Sequence, residues 1–200
     1  MTPEFNAIDP HQFAAVIYRP EDDVDTLLTR FALERRRAGE RIGGIVQVND
    51  KNEAGRQISM SALDLMTGHR ISLCQPLGSG AMACKLDAGG LAEAAIAVAD
   101  AISAEVDLIV INKFSKQEAT GRGLRSEFAD AILSGIPLLT AVPEKCFEAW
   151  VAFTGDRGTT LHCAPHVVSA WWNELSARRT PRQSLAAAPL PNALFPDHHV

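Results

Sequence analysis

Four cations, Lys113, Lys116, Arg122 and Arg125, crowd into the segment INKFSKQEATGRGLRSE at residues 111–127. Ammonium and guanidinium groups beside the open backbone of Gly121 and Gly123 are the chemistry of an oxyanion site. Asn112 is the second residue of the segment and Glu118 lies within it, so the same stretch also reads as a solvated loop whose cations pair with Glu118, Glu127 or other acids. A second cluster has the opposite sign. In YRPEDDVDTLL, the acids Glu21, Asp22, Asp23 and Asp25 follow Tyr18 and Arg19. Carboxylates there suit a helix N-terminus as cap and dipole partners, and they repel a triphosphate. A divalent-cation site built from their hard oxygens is the sharper alternative.

Weaker candidates lie elsewhere. His162, Cys163 and His166 have a spacing that could offer metal ligands, yet three residues fall short of a closed structural zinc site, and the metal is left unknown. Gly78-Ser79-Gly80 lacks the first glycine of a nucleophile elbow, because Leu77 stands two before the serine. Trp171 and Trp172 adjoin in the last helix, where one belongs to the core and the other covers a neighbouring element or a subunit interface. His198 and His199 sit near the end of the chain.

The elements that must position these residues follow from apolar periodicity. Continuous apolar runs at 13–18 (FAAVIY), 42–48 (IGGIVQV), 107–112 (DLIVIN) and 137–142 (PLLTAV) predict buried strands. Helical spacing marks 24–38, closed by Gly39, and a helix capped by Asp87 that runs to about Ser103. Further helices are expected at 121–133, 144–153 and 167–177. Alternation through Ile58, Met60, Ala62, Ile71 and Leu73 about Thr67-Gly68 predicts an inserted β-hairpin. The fold class is α/β, a mostly parallel sheet with flanking helices. Residues 1–12 are expected as a flexible N-terminus, 13–177 as a single domain, and 178–200, rich in Pro and Ala, as an extended tail. In open parallel sheets ligands lie beyond the carboxyl ends of the strands, where both charged clusters fall.

With 46% hydrophobic residues, the 200-residue chain has enough apolar side chains for a core. Its 19 Lys and Arg against 24 Asp and Glu argue against an electrostatic grip on nucleic acid. No apolar run approaches the ~18–20 residues of a membrane span. Cys74, Cys84, Cys146 and Cys163 show no CxxC spacing, and the polar start resembles no leader, so a cytoplasmic protein with reduced thiols is expected.

The segment VINKFSKQEATGRGLR resembles the NKFGKQE-type signature of a bacterial domain family encoded near molybdate-uptake genes, with Ser115 in place of the more usual glycine. The resemblance runs from about Phe13 to Leu175. More distantly, the chain looks like small nucleoside-triphosphatases of the P-loop superfamily, which implies a P-loop-NTPase-like fold. Set against their GxxxxGK[ST] loop, Tyr18 stands at the first glycine, Asp23 at the second, Val24 at the lysine and Asp25 at the hydroxyl residue. In their DEIGKME-like segment Asn112 takes the place of the metal-linked Asp and Lys113 that of the catalytic Glu, while Lys116 and Glu118 match. The parts that hold Mg-nucleotide and activate water are therefore replaced, and the phosphate loop is degenerate.

The resemblance, with the charge pattern, implies a non-hydrolytic protein that binds a small anion or anionic metabolite through Asn112, Lys113, Lys116, Glu118, Gly121, Arg122, Gly123 and Arg125. The family's genomic setting puts molybdate, tungstate or a molybdenum-cofactor intermediate first among ligands. No nucleotide or other cofactor is assigned. Two alternatives stand: a nucleotide-dependent hydrolase or transferase with a rearranged site that uses Glu118 or an acidic-loop carboxylate as base, and a scaffold or regulator with the Trp171-Trp172 helix as its surface. A homo-oligomer or protein partner is compatible with the last.

Overall fold

In the computed structural model the described residues are 9–51, 57–76 and 84–178. In chain order the elements are β1 (Phe13–Tyr18), α1 (Val24–Arg37), β2 (Ile42–Lys51), β3 (Gln57–Asp64), β4 (Arg70–Ser72), β5 (Cys74–Pro76) and β6 (Cys84–Leu86). They continue with α2 (Ala88–Ser103), β7 (Leu108–Ile111), α3 (Lys116–Ala119), α4 (Arg125–Leu133), β8 (Leu138–Pro143), α5 (Phe147–Thr154), β9 (Thr159–His162) and α6 (Pro165–Ala177).

Seven strands form one sheet in the order β4-β3-β2-β7-β8-β1-β9. The run from β2 to β9 is parallel, whereas β3 and β4 pair antiparallel at one edge. The inserted hairpin expected about Thr67-Gly68 is the β3–β4 unit. This is the expected α/β architecture, with a mostly parallel sheet and flanking helices.

The central parallel strands β1, β7 and β8 are apolar on both faces because helices cover both. Ala14 and Val16 of β1 pack with Leu28 and Phe31 of α1 and with Val168 and Trp172 of α6. Phe13 and Ala15, on the opposite face, join the helices α2, α4 and α5 through Val98, Phe128 and Trp150. At Gly44 on β2 (φ +89°) a Cβ would lie 2.2 Å from the Val110 carbonyl oxygen, so β2 meets β7 at a separation only glycine allows.

Several expectations change. The sheet gains β9, unforeseen because only Leu161 of its four residues is buried. A two-stranded β5–β6 sheet follows the hairpin. Pro10–Gln12, assigned to a flexible N-terminus, form a 3-10 turn capped by Asp9. The helix expected from Gly121 begins at Arg125, because Gly121 (φ +83°) and Gly123 (φ +61°) are left-handed. The last helix begins two residues early, with Pro165 in its first turn. Cys74 is disulfide-bonded, which overturns the expectation of uniformly reduced thiols, and Cys146 and Cys163 are free. Residues 179–200, Gly78-Ser79-Gly80 and the His198-His199 pair lie outside the described residues. No helix among the described residues is long and apolar enough to cross a membrane.

Both tryptophans of α6 are buried within the chain, so of the two roles expected for the second, covering a neighbouring element is the one observed. Trp171 Nε1 donates to the His11 carbonyl at 3.3 Å and Trp172 Nε1 to Glu40 at 2.9 Å, so each polar tip is satisfied within the chain.

Candidate functional site

The carboxyl ends of β1, β2 and β7 converge at the start of α1. Asp22 accepts from the Arg19 N–H at 2.7 Å, and Asp23, the N-cap, accepts from the Thr26 N–H at 3.3 Å. Asp25, in the first turn of α1, takes the central position. Its Oδ1 accepts from Lys113 Nζ at 2.8 Å and from Asn112 Nδ2 at 2.8 Å. Its Oδ2 accepts from Asn49 Nδ2 at 2.7 Å and from Gln47 Nε2 at 3.4 Å. Gln47 also donates to Asn49 Oδ1 at 2.9 Å. Lys113 and Asp25 are 16% and 18% exposed, so their attraction acts in a partly desolvated setting.

This arrangement has a definite chemical sense. The positive end of α1, which could face a phosphate, is occupied by the chain's own carboxylates. The ammonium of Lys113 neutralises Asp25 and lies 5.3 Å from the centre of the Tyr18 ring. Asn112 is buried, and its Oδ1 has no hydrogen-bond partner among the described residues. Gln47 and Asn49 were not foreseen as site residues. Their signal was the period-two polar pair that follows the apolar run of β2, on one face of its carboxyl end.

The four cations do not converge. Only Lys113 reaches Asp25. Arg125 lies 4.3 Å over the Phe153 ring and donates from Nη1 to the Glu118 carbonyl at 2.9 Å. Lys116 and Arg122 are exposed, as is Gly121 between them. Glu118 is 5% exposed, and its carboxylate accepts from the backbone N–H groups of Ser115 at 2.9 Å and Leu124 at 3.1 Å. Both oxygens are thus engaged inside the loop, an unfavourable setting for a general base.

A cleft of about 560 Å³ opens beside this site, over the ends of β1 and β9, with Tyr18, Arg19, Asp22, Glu144, Phe147 and Cys163 among its lining residues. Arg19 and Glu144 form an exposed bidentate pair at 3.2 Å. Burial, then the charge of Asp25, pushes the Tyr18 hydroxyl up to about 12. Burial, then Asp22 and Asp23, pushes the Cys163 thiol up to about 11, so it is a poor nucleophile at neutral pH. Exposed His162 ends β9 and exposed His166 lies in the first turn of α6. No cluster of three metal-ligating side chains occurs among the described residues.

A family model described as "Protein of unknown function (DUF2478)" matches residues 13–171. The chain belongs to this family. Among curated proteins, a relative from Bradyrhizobium diazoefficiens named "Molybdenum import ATP-binding protein ModC 2" is 67% identical over 175 residues. The match takes in 88% of this chain but only 20% of that protein, so the chain spans about a fifth of its relative's length. Among solved structures, a human cancer-related nucleoside triphosphatase aligns with TM-score 0.58 at 16% identity, over 84% of this chain and 98% of that one. THEP1 from the hyperthermophile Aquifex aeolicus aligns with TM-score 0.59 at 12% identity, over 82% and 96%. At such identities the likeness establishes the fold that this DUF2478 member shares with them, and no activity.

Proposed function

We propose that this DUF2478 domain is a non-hydrolytic, P-loop-like module of molybdenum metabolism that holds a small oxyanion, with molybdate and tungstate the first to test. The observation that carries the non-hydrolytic part is Asp25, set at the start of α1 and engaged by Lys113 at 2.8 Å. A triphosphate at this helix would meet three carboxylates. A Mg²⁺ ion would have to displace the ammonium of Lys113, which already occupies Asp25 Oδ1.

The oxyanion part is supported by the loop after β7, where Lys116, Gly121 and Arg122 are exposed together. Lys113 and Arg125 are already committed to protein partners, so the binding charge falls to Lys116 and Arg122. The molybdenum part is supported by the name of the Bradyrhizobium relative. Because this chain matches one fifth of that protein, the ATP-binding portion of the name need not describe this fifth.

Calorimetry with molybdate, tungstate, phosphate and Mg-ATP tests the reading. The wild-type chain should bind an oxyanion, the Lys116→Ala, Arg122→Ala double variant should lose that binding, and Mg-ATP should release no phosphate. Phosphate release above background would overturn it in favour of a rearranged hydrolase. Silence with every oxyanion would leave the scaffold reading ahead.

A further inference from the structure

We propose that Glu118 is the positioning residue of the oxyanion loop, a clasp whose buried carboxylate sets the spacing between Lys116 and Arg122; this rests on the oxyanion reading above. A carboxylate 5% exposed is costly unless hydrogen-bonded. Here Oε2 accepts from the Ser115 N–H at 2.9 Å and from its hydroxyl at 3.4 Å, while Oε1 accepts from the Leu124 N–H at 3.1 Å. Ser115 precedes α3 and Leu124 precedes α4. One side chain therefore satisfies orphan donors at the starts of two successive helices and ties together the two ends of the segment from Ser115 to Leu124.

The rest of the loop closes on the same point. The Arg122 N–H donates to the Gln117 carbonyl at 2.9 Å, and Arg125, stacked on Phe153, donates to the Glu118 carbonyl at 2.9 Å. Gly123 is left-handed, and a Cβ there would lie 2.1 Å from Glu118 Oε1. Only glycine lets the carboxylate reach Leu124. The groups that turn inward are thus consumed by the clasp, and the outward ones include Lys116, Gly121 and Arg122. A loop fixed in this way loses little freedom when it meets a ligand, whereas the same cations on a loose loop would have to be ordered first. Glu118 touches no ligand; it acts through Lys116 and Arg122.

The test uses the full chain as wild type, Glu118→Ala, Gly123→Ala and the two combined. Molybdate and phosphate affinities are measured by calorimetry, hydrogen exchange is followed at the Ser115 and Leu124 amides, and thermal unfolding confirms a folded chain. Each single variant should weaken oxyanion binding about tenfold or more, and the combined variant should lose little beyond that, because both changes break one clasp. Exchange should accelerate at Ser115 and Leu124 while β1 and β8 stay protected. Should Glu118→Ala fail to fold, Glu118→Gln serves: it keeps one acceptor for Leu124, loses the acceptor for Ser115, and should show an intermediate loss. Wild-type affinity in the single variants, or losses that add in the combined one, overturns the positioning role. If the wild type binds no oxyanion, the functional reading fails instead, and the exchange rates alone decide the clasp: unchanged rates in Glu118→Ala remove it, and accelerated ones retain it as what orders this loop.

Discussion

Asp25 collects donors from the ends of two strands, β2 and β7, and the cost of disturbing it depends on which partner is left behind. In Asp25→Ala the ammonium of Lys113 would remain partly buried without its counter-charge, while Asn49 and Asn112 would lose their acceptor. Breaking such a pair from one side should lower unfolding free energy by about 2–3 kcal/mol, somewhat below the range for fully buried pairs. Adding Lys113→Met should recover much of this, since the stranded charge is gone. Urea denaturation measures both, and a single-variant loss under about 0.5 kcal/mol would show that the network is well solvated. Tyr18 and Cys163 give a test in pH. Each is an acid whose folded value lies above its ordinary one, so the neutral form is favoured in the fold. Their contribution is complete below the ordinary values and is lost as pH rises, from 9.0 to about 11 for Cys163 and from 10.0 to about 12 for Tyr18. Unfolding free energy should therefore fall through this alkaline window, less steeply in Cys163→Ser and Tyr18→Phe. A slope unchanged in both variants would assign it to other groups.

Phe114 shows how an element beneath the site holds it. It is fully buried, its ring centre 5.1 Å from that of Trp150, 5.4 Å from Phe153 and 5.5 Å from Phe128. It thereby pins the chain between Lys113 and α3 to α4 and α5. Phe114→Ala should cost about 3–5 kcal/mol in chemical denaturation, with the cavity rather than the site as its cause; a cost near 1 kcal/mol would mean that the aromatic cluster collapses around the gap. Much of this scaffold was legible in advance. FAAVIY, DLIVIN and PLLTAV announce strands covered on both faces, because continuous apolar runs of that length need two layers of helix. TTLH does not, because β9 is an edge strand and only Leu161 packs into the core. The site was legible in half. Its two loops of opposite sign are local features, but the meeting of Asp25 with Lys113 depends on a sheet order that places β8 between β1 and β7. Gln47 and Asn49 reach Asp25 across the same sheet, and their period-two spacing shows that they share a face without showing what they meet.

For the molecule as a whole, the fold and the chemistry separate. The sheet shares its form with two nucleoside triphosphatases, yet three carboxylates stand at the start of its first helix, so the site and not the fold must carry the functional argument. Ligand linkage makes this measurable, because whatever binds the native state raises its unfolding temperature. Millimolar Mg-ATP should leave the melting temperature of the chain unchanged, while molybdate should raise it; a rise with Mg-ATP would reinstate a nucleotide site. The Asp25–Lys113 contact also constrains what the sequence can become. A hydroxyl residue at position 25 alone would leave the ammonium of Lys113 partly buried without its counter-charge, and an acid at position 113 alone would set two carboxylates against each other. Neither position can change its charge alone without cost, so this contact locks the start of α1 and the loop after β7 into changing together.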